Sequence, residues 1–235
     1  PLLQGQTLAK LFAEHQAAKA SATVLTACMP DPAGYGRVIR NENGQVLKIV
    51  EQKDAASGEL AVNEVNTGIY CFERKALFEA LNSINCNNMQ GEYYLTDVIG
   101  ILAKSHDKVW AVQVDEYQET LGINSRMQLA EAEKILRRRK LANLMDNGVT
   151  IMDIDSTFID EEVCIGPDTV IYPFTWIEGA TTIGKGCEIG PSSRIQNSSI
   201  RDNAILHFLY AHDCKIGNHV TVGPYVHLRP NTVLS

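Results

Sequence analysis

The strongest constraint on this chain is a ladder of isoleucines in its last third. Ile159, Ile165, Ile171, Ile177, Ile183, Ile189 and Ile195 recur at a spacing of six. Two residues ahead of each stands something small or β-branched: Thr157, Val163, Thr169, Thr175, Thr181, Cys187 and Ser193. After Ile195 the phase slips. Ile200 comes a residue early, and Ile205–Tyr210 reads as a bulged turn or an inserted loop, which leaves the path of 204–212 open. The ladder resumes at Ile216, Val222, Leu228 and Leu234, preceded by Cys214, Val220, Val226 and Thr232. A period of six fits neither an α-helix nor an alternating strand. It predicts a parallel β-helix with short flat faces, one hexad to a face and three to a coil. Each aliphatic rung points inward onto its counterpart one coil along. Burying one is worth roughly 1.5–3 kcal/mol, and no coil can hide that face alone. Gly166, Gly184, Gly190, Gly217 and Gly223 each follow a rung, where a corner with positive φ is expected.

The 235 residues suffice for two domains, and the pattern changes near residue 148. No apolar run reaches the roughly 18 residues of a membrane span. A net charge of −7 disfavours nonspecific nucleic-acid binding. The six cysteines (Cys28, Cys71, Cys86, Cys164, Cys187 and Cys214) lack CxxC spacing, and no signal-peptide pattern opens the chain. Reduced thiols in a cytoplasmic protein are the expectation, with Cys187 and Cys214 as small inward rungs. The chain starts at Pro1 without methionine and stops at Ser235 inside a hexad. An uncapped solenoid exposes its core, so a piece of a longer polypeptide is expected.

Ahead of the ladder, strands alternate with helices. Thr7–Ala18 reads as an amphipathic helix with Thr7 as N-cap and Leu8, Leu11 and Phe12 buried. Ala22–Cys28 reads as a buried strand. Val38–Arg40 and Gln45–Glu51 flank the hairpin signal Asn41-Glu42-Asn43-Gly44. Val62–Phe72 is a strand and Glu73–Leu81 a short helix; a polar loop, Asn82–Gly91, then leads into a helix ending near Ser105 and the strand Lys108–Val114. This order predicts an α/β layer with a mainly parallel sheet. Ser125 caps a long helix to about Asn147, with Leu129, Ala132, Ile135, Leu136, Leu141 and Leu144 on one side, and Gly148 ends it. Its Arg137-Arg138-Arg139-Lys140 run is expected on a solvated face or against acidic neighbours, with phosphate binding as the alternative.

Ligands of α/β sheets gather at strand ends. Gly34-Tyr35-Gly36 permits close approach of the main chain to a ligand, although an ordinary turn has the same composition. Glu51, ending a strand before Gln52-Lys53-Asp54, could accept two sugar hydroxyls or belong to a surface charge cluster. Asn66, in mid-strand, is unusual unless its amide has a partner. Asn124, before the long helix, could ligate a hard cation such as Mg²⁺ or be structural.

The order of the motifs is more specific than any one of them. Gly-Tyr-Gly-Arg-Val, Ile-Val-Glu-Gln-Lys-Asp-Ala, Glu-Val-Asn-Thr-Gly-Ile, Gln-Gly-Glu-Tyr-Tyr-Leu-Thr-Asp and Gly-Ile-Asn-Ser-Arg precede the hexads. Over essentially the whole chain this resembles the bacterial bifunctional N-acetylglucosamine-1-phosphate uridyltransferase / glucosamine-1-phosphate acetyltransferase family, in phrasing closest to its Gram-positive branch. The resemblance implies an α/β nucleotidyltransferase (Rossmann-like) domain portion over 1–124, a linker helix over 125–148, and a left-handed parallel β-helix of hexapeptide repeats over 149–235. It implies synthesis of UDP-N-acetylglucosamine in two steps: acetyl transfer from acetyl-CoA to glucosamine-1-phosphate, then coupling to UTP with release of pyrophosphate. Gly36 would contact the N-acetyl group through its main chain, Glu51 and Asn66 would hold sugar hydroxyls, and Asn124 would ligate Mg²⁺. Arg229, in His227-Leu228-Arg229-Pro230, would grip a sugar phosphate, while His212 and His219 would be corner or surface residues. A homotrimer is implied for the parent protein.

The resemblance also implies absences. The Gly-rich loop that cradles UTP, and an aspartate that shares the Mg²⁺, would precede Pro1-Leu2; the catalytic histidine and the CoA contacts would follow Ser235. No catalytic residue is therefore expected within 1–235. Two other readings compete: another sugar-1-phosphate nucleotidylyltransferase with a β-helix tail, and a noncatalytic scaffold of the same folds. The Asn-rich loop and the Gly-Tyr-Gly-Arg run favour the acetamido-sugar enzyme over the first.

Overall fold

The computed structural model describes residues 2–105 and 107–235; Pro1, expected to follow a metal-binding aspartate, lies outside them. The chain forms two compact units, Pro1–Ile123 and Asn124–Ser235.

The first unit contains, in order, α1 (Gly5–Ala18), β1 (Ala22–Cys28), β2 (Arg37–Arg40), β3 (Val46–Val50), α2 (Ser57–Leu60), β4 (Glu64–Phe72), α3 (Arg74–Leu81), α4 (Asp97–Lys104) and β5 (Val109–Gln113). A 3-10 turn, Tyr117–Thr120, follows β5. The sheet order is β3-β2-β4-β1-β5. The expected mainly parallel sheet is mixed in this portion. β1 and β5 are parallel, whereas β1–β4, β2–β3 and β2–β4 are antiparallel. The connection from β4 to β5 carries α3 and α4, enough chain for β5 to run parallel to β1, whereas the tight Asn41–Gly44 turn forces β2 and β3 to run in opposite directions. The buried run of β1 lies at the centre, and its two faces feed two clusters. One is Val24, Val38, Ile49, Val98 and Ile99; the other is Leu11, Leu25, Ala27, Val65 and Val112.

The first helix departs from expectation. It starts at Gly5 with Gln4 as N-cap, and of the anticipated stripe only Leu11 is buried; Leu8 is 45% and Phe12 55% exposed. Thr7 Oγ1 donates instead to Glu119 Oε2 at 2.6 Å, and Gln4 Nε2 donates to Glu119 Oε1 at 3.1 Å. A carboxylate near the helix N-terminus satisfies donors that a cap would otherwise serve.

Arg40 and Glu64 face each other across β2 and β4, with Nε–Oε2 2.7 Å and Nη2–Oε1 2.6 Å. Burial alone would raise the Glu64 carboxyl, but the bidentate guanidinium outweighs it and holds the group below its ordinary value. A depressed carboxylate contributes stability that is present above its unfolded pKa and lost as pH falls through its folded pKa. Acid unfolding of Glu64→Gln is therefore expected to show a shallower loss of stability below about pH 4.5 than the parent. Parallel urea titrations at neutral and acid pH measure this, and an unchanged pH slope would refute it.

In the second unit α5 (Arg126–Asp146) is capped by Ser125, whose hydroxyl accepts from Gln128 N at 3.1 Å, and Gly148 at φ 89° ends it. Leu129 and Leu136 are exposed; Ala132, Leu141 and Leu144 are buried. Leu141 and Leu144 join Val149, Ile159 and Val163 in the core of the β-helix. The basic run docks there as well. Lys140 Nζ donates to the carbonyls of Glu161 (2.6 Å) and Val163 (2.9 Å), Arg138 pairs with Asp155 at 3.2 Å, and Arg137 stacks 4.1 Å from the Phe158 ring centroid. The helix thus covers an end that a solenoid cannot leave open.

The β-helix consists of three five-stranded sheets whose pairs are all parallel. Ile151, Ile171, Ile189, Leu206 and Val222 stack in register on one face. Ile159, Ile177, Ile195, Ala211 and Leu228 stack on the second, and Ile165, Ile183, Ile200, Ile216 and Leu234 on the third.

Two expectations need correction here. No loop is inserted at 205–210. Leu206 and Ala211 continue the stacks, and the step between rungs shortens to five residues at 195–200, 206–211 and 211–216. The pattern is hidden because large and small exchange places: buried Leu209 fills the small position and Ala211 the rung. Of the corner glycines, Gly166, Gly184 and Gly217 do not have positive φ. At Gly184 a Cβ would lie 2.7 Å from Asp202 N, so the next coil, rather than the backbone angle, excludes a side chain. The left-handed corners fall mostly on other residues, among them Asp168, Phe174, Asn197, Asn203 and His219. His219 is thus a corner residue, as expected.

Candidate functional site

Gly36, Glu51 and Asn66 meet at one end of the first unit's sheet. The β2–β3 hairpin pairs Arg37 with Val50, so the residue just before β2 and the one just after β3 face each other. A Cβ on Gly36 would lie 3.4 Å from each Glu51 carboxylate oxygen and 3.2 Å from Ile49 Cγ2. A side chain there would press on Ile49 and reach contact with the carboxylate. β4 brings the third member: Asn66 N donates to the Gly36 carbonyl at 2.9 Å.

The mid-strand asparagine is explained by a bulge. Opposite β1 the register shifts between Val24–Tyr70 and Thr26–Asn66, so β4 carries extra residues there. Asn66 Oδ1 accepts from Gly68 N at 3.0 Å, with Gly68 at φ 78°. Thr67 Oγ1 donates to the Leu25 carbonyl at 2.8 Å, anchoring the distortion to β1.

Four further residues complete the cluster, and sequence reasoning assigned none of them. Thr96, buried before α4, donates Oγ1 to Glu51 Oε1 at 3.1 Å. Tyr70 is pushed up to about 12, first by burial and further by the nearby Glu51 charge, so its hydroxyl stays protonated beside Asn66 and the carboxylate. Gln52 Oε1 accepts from Gly34 N, and Asp54 Oδ1 accepts from Met89 N at 2.8 Å. Thr96 and Asp54 lie inside quoted motifs, but Tyr70 carried no signal in one sequence. A cavity of about 740 Å³ is lined by Val50, Glu51, Asp54, Asn88, Tyr94 and Thr96, among others. In its wall the Asp97 carboxyl is raised, first by burial and then by the charge of Asp54.

Asn124 and Arg229 belong to the second unit. Asn124 N donates to Gln128 Oε1 at 2.7 Å, within the entry to α5. Arg229 is exposed beyond the strand Val226–Leu228, and its carbonyl accepts from Thr232 N at 3.1 Å and Thr232 Oγ1 at 2.6 Å. Among the described residues no group of three or more His, Cys, Asp or Glu is arranged to hold a metal ion. Asn124 offers a single amide oxygen, which fits a hard cation held mostly by phosphate and water.

The arrangement suits the hydroxyl-rich part of a ligand: a carboxylate, an amide and a bare glycine main chain converge. The family model for nucleotidyl transferases matches residues 2–137. The chain belongs to that family. It is 51% identical over 99% of its length to the bifunctional protein GlmU of Geobacillus sp. (strain WCH70), and 50% identical over its whole length to those of Exiguobacterium sp. (strain ATCC BAA-1283 / AT1b) and Clostridium beijerinckii. It spans about half the length of these curated relatives, 50–52%. The nucleotidyl transferase match thus covers the sheet that carries Gly36, Glu51 and Asn66. No described helix is long and apolar enough to cross a membrane.

Proposed function

We propose that this chain supplies the sugar-binding half of a uridylyl-transfer site and the first coils of an acetyltransferase domain, in a two-step synthesis of UDP-N-acetylglucosamine. The observation that carries the reading is the convergence of Gly36, Glu51 and Asn66 in a unit matched by nucleotidyl transferases and similar to bifunctional GlmU proteins. Glu51 accepts sugar hydroxyls, with Thr96 holding one of its oxygens so that the other is aimed. Asn66 contributes hydrogen bonds to the same ring, and the Gly36 main chain faces the acetamido group.

The reaction on this reading is displacement at phosphorus. A sugar-phosphate oxygen forms a bond to the α-phosphorus of UTP as the bond to pyrophosphate breaks, and the pyrophosphate carries away the electron pair. Little covalent chemistry is left to the protein, so positioning dominates. Asn124 would hold Mg²⁺ through its amide oxygen; when bound, the ion neutralises phosphate charge. Arg229 is suited to a sugar phosphate in the acetyl-transfer step, since its guanidinium forms a two-pronged donor. Acetyl-CoA as donor, a homotrimer and a cytoplasmic setting belong to the same reading.

The direct test is binding. In a protein-observed NMR titration, N-acetylglucosamine-1-phosphate is expected to shift the amides of Gly36, Glu51 and Asn66; shifts confined elsewhere would refute the assignment. Purified 1–235 is expected to release no pyrophosphate above background from UTP and N-acetylglucosamine-1-phosphate, because the loop that cradles UTP is not among its residues. Normal turnover in a coupled assay would refute that.

A further inference from the structure

Four consecutive residues after β3 together reach three walls of the candidate site. Glu51 Oε1 accepts from Thr96 Oγ1 at 3.1 Å, at the entry to α4. Gln52 Oε1 accepts from Gly34 N, in the Gly-Tyr-Gly loop. Lys53 Nζ donates to Gln90 Oε1 at 2.6 Å, and Asp54 Oδ1 accepts from Met89 N at 2.8 Å, both in the Asn-rich loop. The turn itself is closed, with Asp54 N donating to the Glu51 carbonyl at 2.9 Å.

The two loops it reaches have few other hydrogen bonds to the rest of the unit, although Tyr35 and Ile84 pack against its two cores. Among the described bonds, the Gly34–Gly36 loop is otherwise held by Tyr35 N to the Pro32 carbonyl (3.2 Å), by Arg37 Nη1 to the Tyr35 carbonyl, and by Asn66 N to the Gly36 carbonyl. Within the Asn-rich loop the asparagines bond mainly to their own neighbours: Asn85 Oδ1 to Asn87 N, and Asn88 Oδ1 to Gln90 N and Glu92 N. Gln90 Nε2 donates to Tyr94 Oη at 2.7 Å, which ties this loop to the lining of the cavity. Residues 52–54 thus hold the Gly34 side of the first loop and the Met89–Gln90 side of the second, while Gly36 itself is set beside Glu51 by the β2–β3 hairpin and by Asn66.

We propose that Gln52 and Asp54 are positioning residues which fix the width of the sugar pocket, and with it the preference for a 2-acetamido sugar over the unsubstituted sugar. This rests on the functional reading above. The physical reason is a difference in what each ligand needs. Ring hydroxyls are satisfied by Glu51 and Asn66 on the sheet, whose positions the hairpin and the bulge fix. The bulkier 2-substituent must fit between the Gly34–Gly36 loop and its surroundings, where a shift of about 1 Å changes contact and hydrogen bonding together. Releasing the loops therefore affects the substituted sugar more than the plain one.

Two measurements on chain 1–235 test this, using Gln52→Ala and Asp54→Ala. Amide hydrogen exchange without ligand is the first. Gln52→Ala is expected to accelerate exchange at Gly34 at least tenfold and leave Met89 unchanged, and Asp54→Ala the reverse. Equal acceleration at both sites in either variant, or none, overturns the clasp whatever binds there. The second is NMR titration with N-acetylglucosamine-1-phosphate and glucose-1-phosphate. Each variant is expected to lose at least fivefold of the parent's preference for the acetamido sugar, whereas a merely structural defect weakens both ligands alike. A preference unchanged within twofold overturns the selectivity role. If the parent binds neither sugar while exchange responds as expected, the sugar reading of the site falls and the selectivity role falls with it, but the loop-holding role stands. Gln52→Glu, which keeps an acceptor for Gly34 N, is expected to restore slow exchange there.

Discussion

Ile195→Ala is expected to destabilise the second unit by about 2–5 kcal/mol. Ile195 is fully buried, between Ile177 one coil before and Ala211 one coil after. The coil after it is already filled, with Leu209 supplying the bulk that Ala211 lacks, so no neighbouring rung has spare volume to close the gap. A stacked coil relaxes poorly, because moving one rung inward breaks the ladder bonds on either side, such as Trp176 N to the Ser193 carbonyl at 2.8 Å. The cost should therefore sit toward the upper end of that range. Leu129→Ala, at an exposed site on α5, is the control and should stay within about 0.5 kcal/mol. Urea unfolding followed by a probe in the second unit measures both. A loss below about 1 kcal/mol for Ile195→Ala would mean that the stacks do not hold the solenoid together.

The second large effect is expected on binding. Glu51→Gln should weaken N-acetylglucosamine-1-phosphate by about tenfold to a hundredfold, because hydrogen bonds to a charged acceptor contribute about 1.5–3 kcal/mol each. The amide keeps the size of the side chain and one acceptor oxygen. It replaces the second acceptor with a donor, which one sugar hydroxyl can meet only by turning its own hydrogen away. Thr96→Val should give a smaller loss, since it frees a carboxylate oxygen without removing it. The order Glu51→Gln worse than Thr96→Val is the diagnostic outcome in an NMR titration of the folded variants. Equal affinities for parent and Glu51→Gln would remove Glu51 from the site.

Much of the fold was legible in the chain. Regular rungs from Ile159 to Ile195 announced the solenoid, because stacking requires the same chemistry at the same place in every coil. The hairpin at Asn41–Gly44 and the cap at Ser125 were equally plain, each being a local backbone requirement met by local residues. The shortened coils near Leu206 and Ala211 were not, since exchanging a large and a small residue preserves volume while erasing the periodic signal. Nor was the exposure of Leu8 and Phe12, for an apolar stripe on a helix does not say which neighbour covers it.

In the site the division is similar. Gly36, Glu51 and Asn66 stood out through motif order, whereas Tyr70 lay outside the motifs and Thr96, inside one, had no role assigned to it. Their roles come from pairing across strands and from the bulge at Asn66–Gly68, which one-dimensional spacing does not record. The sequence by itself determined the β-helix, the alternation ahead of it and the residue types able to hold a sugar, because periodicity, turns and chemistry are properties of neighbours along the chain. Only the tertiary structure decided that the sheet portion is mixed, that α5 covers the solenoid's first coil, and which side chains surround Glu51. Those outcomes depend on contacts between residues far apart in sequence, where packing volume and hydrogen-bond geometry choose among partners that the chain alone leaves equivalent.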